Sequence, residues 1–182
     1  MSCTRTLSGL ANSCKSDLGG IVEAYFTDFD NISAVTISGG TDNPYGKIGT
    51  LSLASGATFY TYKFDENVSN FTSTRSVNNN IGVYNHTINL QFKSLEGAKN
   101  VEVSALAEGH LAGIIKTRAG KYFFFGYDGY LTSNDSASAE TGTNFDDFNG
   151  YNLVLNGQSA YFPFEIEPSV FAGMIQPAPA SV

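Results

Sequence analysis

Tryptophan is absent from this chain of 182 residues, and histidine, cysteine and methionine occur only twice each. Cys3 and Cys14 have no nearby His or Cys to complete a four-ligand zinc site. The sequence does not place His86 or His110 to activate either thiol, so no cysteine nucleophile emerges. The two thiols are either free or joined in a disulfide that closes a small N-terminal loop after release from the cell. Basic residues are also scarce: 10 Lys and Arg stand against 17 Asp and Glu, for a net charge of −7. The basic ones are scattered singly, so the footprint needed for nonspecific binding to duplex DNA is missing. No run is apolar long enough to span a bilayer. Met1-Ser2-Cys3-Thr4-Arg5 leads into polar residues rather than a signal-peptide core. The expectation is synthesis in the cytosol, without cofactor, metal or membrane partner.

What is present points to β-structure. Hydrophobic residues make up 42% of the chain, which argues against general disorder. The aromatics are 14 Phe and 10 Tyr, and 19 Gly supply turns. The clearest element is Ile81–Lys93. Tyr84, His86, Ile88, Leu90 and Phe92 share one side, while Val83, Asn85, Thr87, Asn89, Gln91 and Lys93 share the other. That is the period-two pattern of a strand packed on one face. Ser94 offers a helix N-cap, and Leu95–Leu111 predicts the one convincing helix. Its apolar stripe is read as Leu95, Ala98, Val101, Ala105 and Leu106. Two tight hairpins follow, at Ala119-Gly120 and at Asp128-Gly129. Earlier strands are expected at Ile21–Phe29 (apolar on both faces, hence central), Ser33–Ser38, Lys47–Leu53, Thr58–Asp65 and Phe71–Val77. Ser133–Asn144 reads as an exposed polar loop. A last hairpin is placed around Asn156-Gly157.

The organisation predicted is an N-terminal arm (1–19), one β domain (20–168) and an extended C-terminal tail (169–182). Nine or ten strands and one flanking helix suggest a mainly β fold, either a β-sandwich or a bent barrel. Few residues suggest chemistry. Asp146, Asp147 and Asn149 could offer oxygens to Ca²⁺, but the later bidentate Glu is missing, and an Asx-bonded turn explains them. Tyr60, Tyr62 and Tyr84 could form a platform for sugar rings, or serve as core or interface. Asn-X-Ser/Thr at Asn31, Asn67, Asn70, Asn85 and Asn134 is what an Asn- and Thr-rich chain produces by chance. His86 reads as a core or interface histidine. No paired carboxylates or nucleophile–base spacing suggests an enzyme.

The run Cys3…Cys14-Lys15-Ser16-Asp17-Leu18-Gly19-Gly20-Ile21, then Tyr25-Phe26, resembles small virion proteins of phages that infect Bacteroidales, crAss-like phages among them. So does Thr141-Gly142-Thr143-Asn144-Phe145-Asp146-Asp147-Phe148-Asn149-Gly150-Tyr151. The order of long strand, helix and hairpins is similar to that of phage tail-tube and head–tail connector-ring proteins. The resemblance implies a tail-tube-like fold and a structural, non-enzymatic virion protein. It implies sixfold or twelvefold homo-oligomeric rings that meet neighbouring virion proteins. DNA would slide through the channel without specific binding, helped by the negative charge. On that reading Asn85, Thr87, Asn89, Gln91 and Lys93 face a lumen or a neighbouring subunit, and Ser133, Asn134, Asp135 and Ser136 belong to an inter-ring loop. The alternative is a head decoration or fibre-base adhesin with a carbohydrate-binding face.

Overall fold

A computed structural model describes residues 19–38, 46–65, 68–133 and 137–178. The strands are β1 (Ile21–Asp28), β2 (Ile32–Ile37), β3 (Lys47–Leu53), β4 (Phe59–Lys63), β5 (Asn70–Asn78), β6 (Ile81–Lys93) and β7 (Leu111–Thr117). They continue with β8 (Tyr122–Phe125), β9 (Leu131–Thr132), β10 (Ala137–Glu140), β11 (Gly150–Ser159), β12 (Phe164–Ile166) and β13 (Ile175–Gln176). Two helices, α1 (Gly97–Glu108) and α2 (Pro168–Phe171), complete the set with short 3₁₀ turns at Phe29–Asn31 and Ala172–Met174.

Pairing divides the strands into two wings. The larger runs β13-β4-β1-β7-β8-β12-β3-β2 and the smaller β5-β6-β11-β10. Two-residue β9 joins them, pairing Leu131 with Leu111 of β7 and Leu131-Thr132 with Gly157-Asn156 of β11. All pairs are antiparallel except β3–β12 and β4–β13. The main path ends on β2 and β5, so the sheet is open. The mainly β expectation holds in its sandwich-like form, and the barrel alternative gives way because among the described residues no strand closes those ends.

Two cores lie on opposite faces of the larger wing. One sits between that wing and the smaller one: Phe26, Ile88, Leu90, Ile115, Phe125, Leu131, Leu153 and Leu155 meet there, with Leu106 of α1 at one end. The other lies where the larger wing curls on itself around Tyr25, Ile48, Phe59, Ile114, Phe124, Phe164 and Phe171. Strand β7 serves both, so Leu111–Ile115 is buried without alternation. Each fully buried Phe or Ile contributes about 1.5–3 kcal/mol of transfer free energy.

Strand β6 begins and ends where the period-two pattern places it. Other local signals are overruled by pairing. Asn156-Gly157 is not a hairpin turn but lies inside ten-residue β11, because both of its edges find partners, β6 on one side and β9 on the other. A Cβ on Gly157 would come within 2.8 Å of Leu131 Cδ2 and 2.9 Å of the Tyr130 carbonyl. The glycine serves close approach of β9. The first predicted hairpin exists between β7 and β8. The second does not: β8 and β9 both pair with β7 in the same sense, and Asp128-Gly129 is a loop bulging out between them. The Ala160 backbone N–H donates to the Asp128 carboxylate at 2.6 Å and anchors that loop.

The helix starts two residues later than predicted, with Glu96 at its N-cap, and Ser94 takes a left-handed φ of 69° instead. Its buried residues are Val103 and Leu106, whereas Val101 is exposed. Of the predicted stripe, Leu106 is buried as expected, but Ala98, Val101 and Ala105 are exposed, because the helix presses a narrow side of Val103, Leu106 and Ala107 on the core. The polar stretch after Ser133 carries strand β10, paired to β11, where an exposed loop is expected. The first part of the expected extended tail is structured: Phe171 is buried, and Ile175-Gln176 pairs in parallel with Phe59-Tyr60. Residues 1–18, which hold Cys3, Cys14 and nearly all of the predicted arm, lie outside the described residues.

Candidate functional site

The outer face of the smaller wing is built by alternation. On β6, His86, Ile88 and Leu90 turn into the core, which sends Asn85, Thr87, Asn89, Gln91 and Lys93 to the opposite face. Register then sets polar partners beside them. Asn89 Nδ2 donates to Asn70 Oδ1 at 2.7 Å, and Asn85 Nδ2 to Ser76 Oγ at 2.9 Å. Across the other edge of β6, Thr87 Oγ1 donates to Asn156 Oδ1 at 3.1 Å and Gln91 Nε2 to Asn152 Oδ1 at 3.0 Å. Gln158 Nε2 donates to Asn85 Oδ1 at 3.0 Å. The five residues predicted to share a face do share it, and Asn85, Thr87, Asn89 and Gln91 form rungs of an amide and hydroxyl ladder three strands wide.

The ladder carries little charge. Lys93 Nζ lies 2.7 Å from Asp65 Oδ2. Glu140 on β10 accepts from Ser138 Oγ at 2.9 Å and Asn152 Nδ2 at 3.3 Å. Among the described residues β5 pairs only with β6, and β10 only with β11. Among the described residues the face is thus flanked by two strand edges with unpaired backbone groups. Strand β5 is nine residues long, has no proline and carries Arg75 as its single charge. Such an edge is weakly protected against pairing with another chain.

The chain matches no family model, no curated protein and no solved structure. Function must therefore be argued from surfaces.

Of the predicted inter-ring loop, Ser133 is half-buried just after β9, and Asn134, Asp135 and Ser136 lie outside the described residues. Asp147 forms a turn: its Oδ2 accepts from the backbone N–H of Asn144 at 2.6 Å and of Thr143 at 2.7 Å, which hold the carboxyl below its ordinary pKa. Behind the ladder, His86 is buried, with Nδ1 2.8 Å from Ser73 Oγ. Burial holds its pKa below the usual imidazole value, against the opposing charge of Asp128 and a backbone hydrogen bond at Tyr161.

The three tyrosines considered for a platform separate. Tyr84 packs on Phe162 with ring centroids 4.3 Å apart. Tyr60 and Tyr62 share one face of β4 and line a cleft of about 430 Å³ between β1, β4 and α1. Asp28, Asn31 and Glu102 line it too. Sequence reading missed these three, because they come from a strand end, a 3₁₀ turn and a helix that no local motif connects. The Tyr62 hydroxyl donates to Glu102 Oε2 at 3.2 Å, and burial together with that carboxylate pushes the phenol above its ordinary pKa. Among the described residues no helix is long and apolar enough to cross a membrane.

Proposed function

We propose that this protein is a structural subunit of a virion, joined edge to edge into a ring or tube of a phage tail or head–tail connector. The carrying observation is the ladder face of β10-β11-β6-β5 flanked by two unpaired strand edges. A subunit with such edges can extend its sheet into the next copy, and a closed ring removes the exposed edges. The ladder then lines or supports the channel. Its amides are already hydrogen-bonded to one another, and its lysine is paired with Asp65. Such a wall offers little to phosphate, and the net charge of −7 disfavours DNA adsorption further. The role is assembly without catalysis, in sixfold or twelvefold rings that meet other virion proteins.

Negative-stain imaging and mass measurement of the purified chain, alone and with virion partners, test this reading. Rings or tubes are expected. Thr72→Lys with Thr74→Lys on β5 should abolish them while leaving the circular-dichroism spectrum intact. A chain that stays monomeric under all these conditions and joins no particle would overturn the proposal.

A further inference from the structure

The cleft between β4 and α1 is not used by the assembly reading, and its lining has a one-sided chemistry. Asp28 carries no ion pair among the described residues, and Glu102 is held in place by the Tyr62 hydroxyl on one oxygen. Asn31 lines the cleft and donates its amide nitrogen to Thr27 Oγ1 at 3.1 Å, so its side-chain oxygen is the atom left to accept. No Lys, Arg or His is among the described lining residues. Tyr60, 56% exposed, adds an open aromatic ring.

We propose that this cleft binds an alkylammonium group. An ammonium has three donors and no acceptor, which fits a wall of two carboxylates, an amide oxygen and tyrosine rings. Aromatic faces attract such a cation directly. Its methylene stem would lie on Leu106 and Leu111, the apolar floor of the cleft. A neutral sugar can donate hydroxyls to these carboxylates but brings no positive charge to balance them. The volume of about 430 Å³ falls in the range of small-molecule sites. The group can come from a free polyamine or from a lysine side chain of another protein.

The test is an amide-resolved NMR titration of the full chain with n-butylammonium, spermidine, an Nα-acetyl-lysine amide and methyl glucoside. Saturable shifts confined to the neighbourhood of Asp28, Tyr60, Tyr62 and Glu102 are expected for the ammonium probes, with Kd on the order of millimolar. Tighter binding of spermidine identifies a polyamine site, and tighter binding of the lysine amide a protein partner; either supports the assignment. Asp28→Asn and Glu102→Gln should each weaken binding about threefold to fivefold, the scale of one exposed charge contact. Glutamine at 102 can still accept from Tyr62, so the fold is kept. Tyr60→Ala should weaken binding similarly. Methyl glucoside binding as well as butylammonium would overturn the proposal. So would titrations without saturation, or affinities unchanged in both charge variants.

Discussion

Gly157→Ala isolates what the Asn-Gly pair does. Gly157 is absent from the positive-φ glycines, so alanine there meets no backbone penalty of the turn kind. The cost must come from contact. The added methyl would sit 2.8 Å from Leu131 Cδ2 and 2.9 Å from the Tyr130 carbonyl oxygen. Leu131 is 1% exposed and cannot swing away freely, and the carbonyl belongs to the backbone. Strand β9 must therefore retreat from β11, and overpacking of this kind costs about 1–3 kcal/mol. For a chain of this size each kcal/mol lowers Tm by about 2–4 °C, so the loss should be roughly 2–12 °C by circular dichroism. Leu131→Ala alone should cost about 2–5 kcal/mol. The double variant should fall short of the sum by at least about 0.5 kcal/mol, because alanine at 131 removes one of the two clashes. An unchanged Tm for Gly157→Ala, or full additivity, would refute the close approach. Gly97→Ala is the control: nothing lies within 4 Å of its added Cβ, and a modest stabilisation of about 0.5 kcal/mol is expected at the start of α1.

Other outcomes follow from the same structure. Because His86 binds its proton less readily when folded, its contribution to stability is complete above its ordinary pKa of 6.5. It is lost as pH falls from there through the lower folded value; urea midpoints at several pH values should show the decline, and His86→Gln should flatten it. Phe171→Ala should cost about 3–5 kcal/mol, since the ring is buried 5.4 Å from Tyr122 and 5.8 Å from Tyr25. Asn89→Asp should cost less than about 1 kcal/mol, because Asn70 can flip to present its NH₂ group. Gln91→Glu should cost more, about 1–2 kcal/mol, since Asn152 can turn its NH₂ group to the new carboxylate only by leaving Glu140. Denaturant titrations of the two variants decide the order.

Strand β6 was legible because Tyr84 to Lys93 keep strict alternation, and one buried face fixes it regardless of neighbours. The polar face followed for the same reason. Local turn chemistry failed where a long strand had partners on both edges: Asn156-Gly157 carries a strong turn signal, yet pairing with β6 and β9 outweighs it. The stripe of α1 was right only at Leu106, because Val103, Leu106 and Ala107 alone pack on the core, too few for a helical period to stand out. Strand β10 was invisible, since Ala137–Glu140 is exposed throughout and is held by its backbone pairing to β11. The cleft was hidden for another reason, its walls being distant in sequence.

The two parallel pairings bear on the order in which the chain can mature. Strand β3 waits for Glu165-Ile166, and β4 for Ile175-Gln176, more than a hundred residues later. During synthesis both edges stay open until those residues leave the ribosome. The larger wing therefore cannot finish folding while most of the chain is already outside. Contacts this distant slow folding and leave strand edges exposed to association meanwhile. The Phe164–Gln176 segment thus acts as a late clasp, and a stalled or prematurely stopped chain would present unpaired β3 and β4 edges to its neighbours before the native subunit exists.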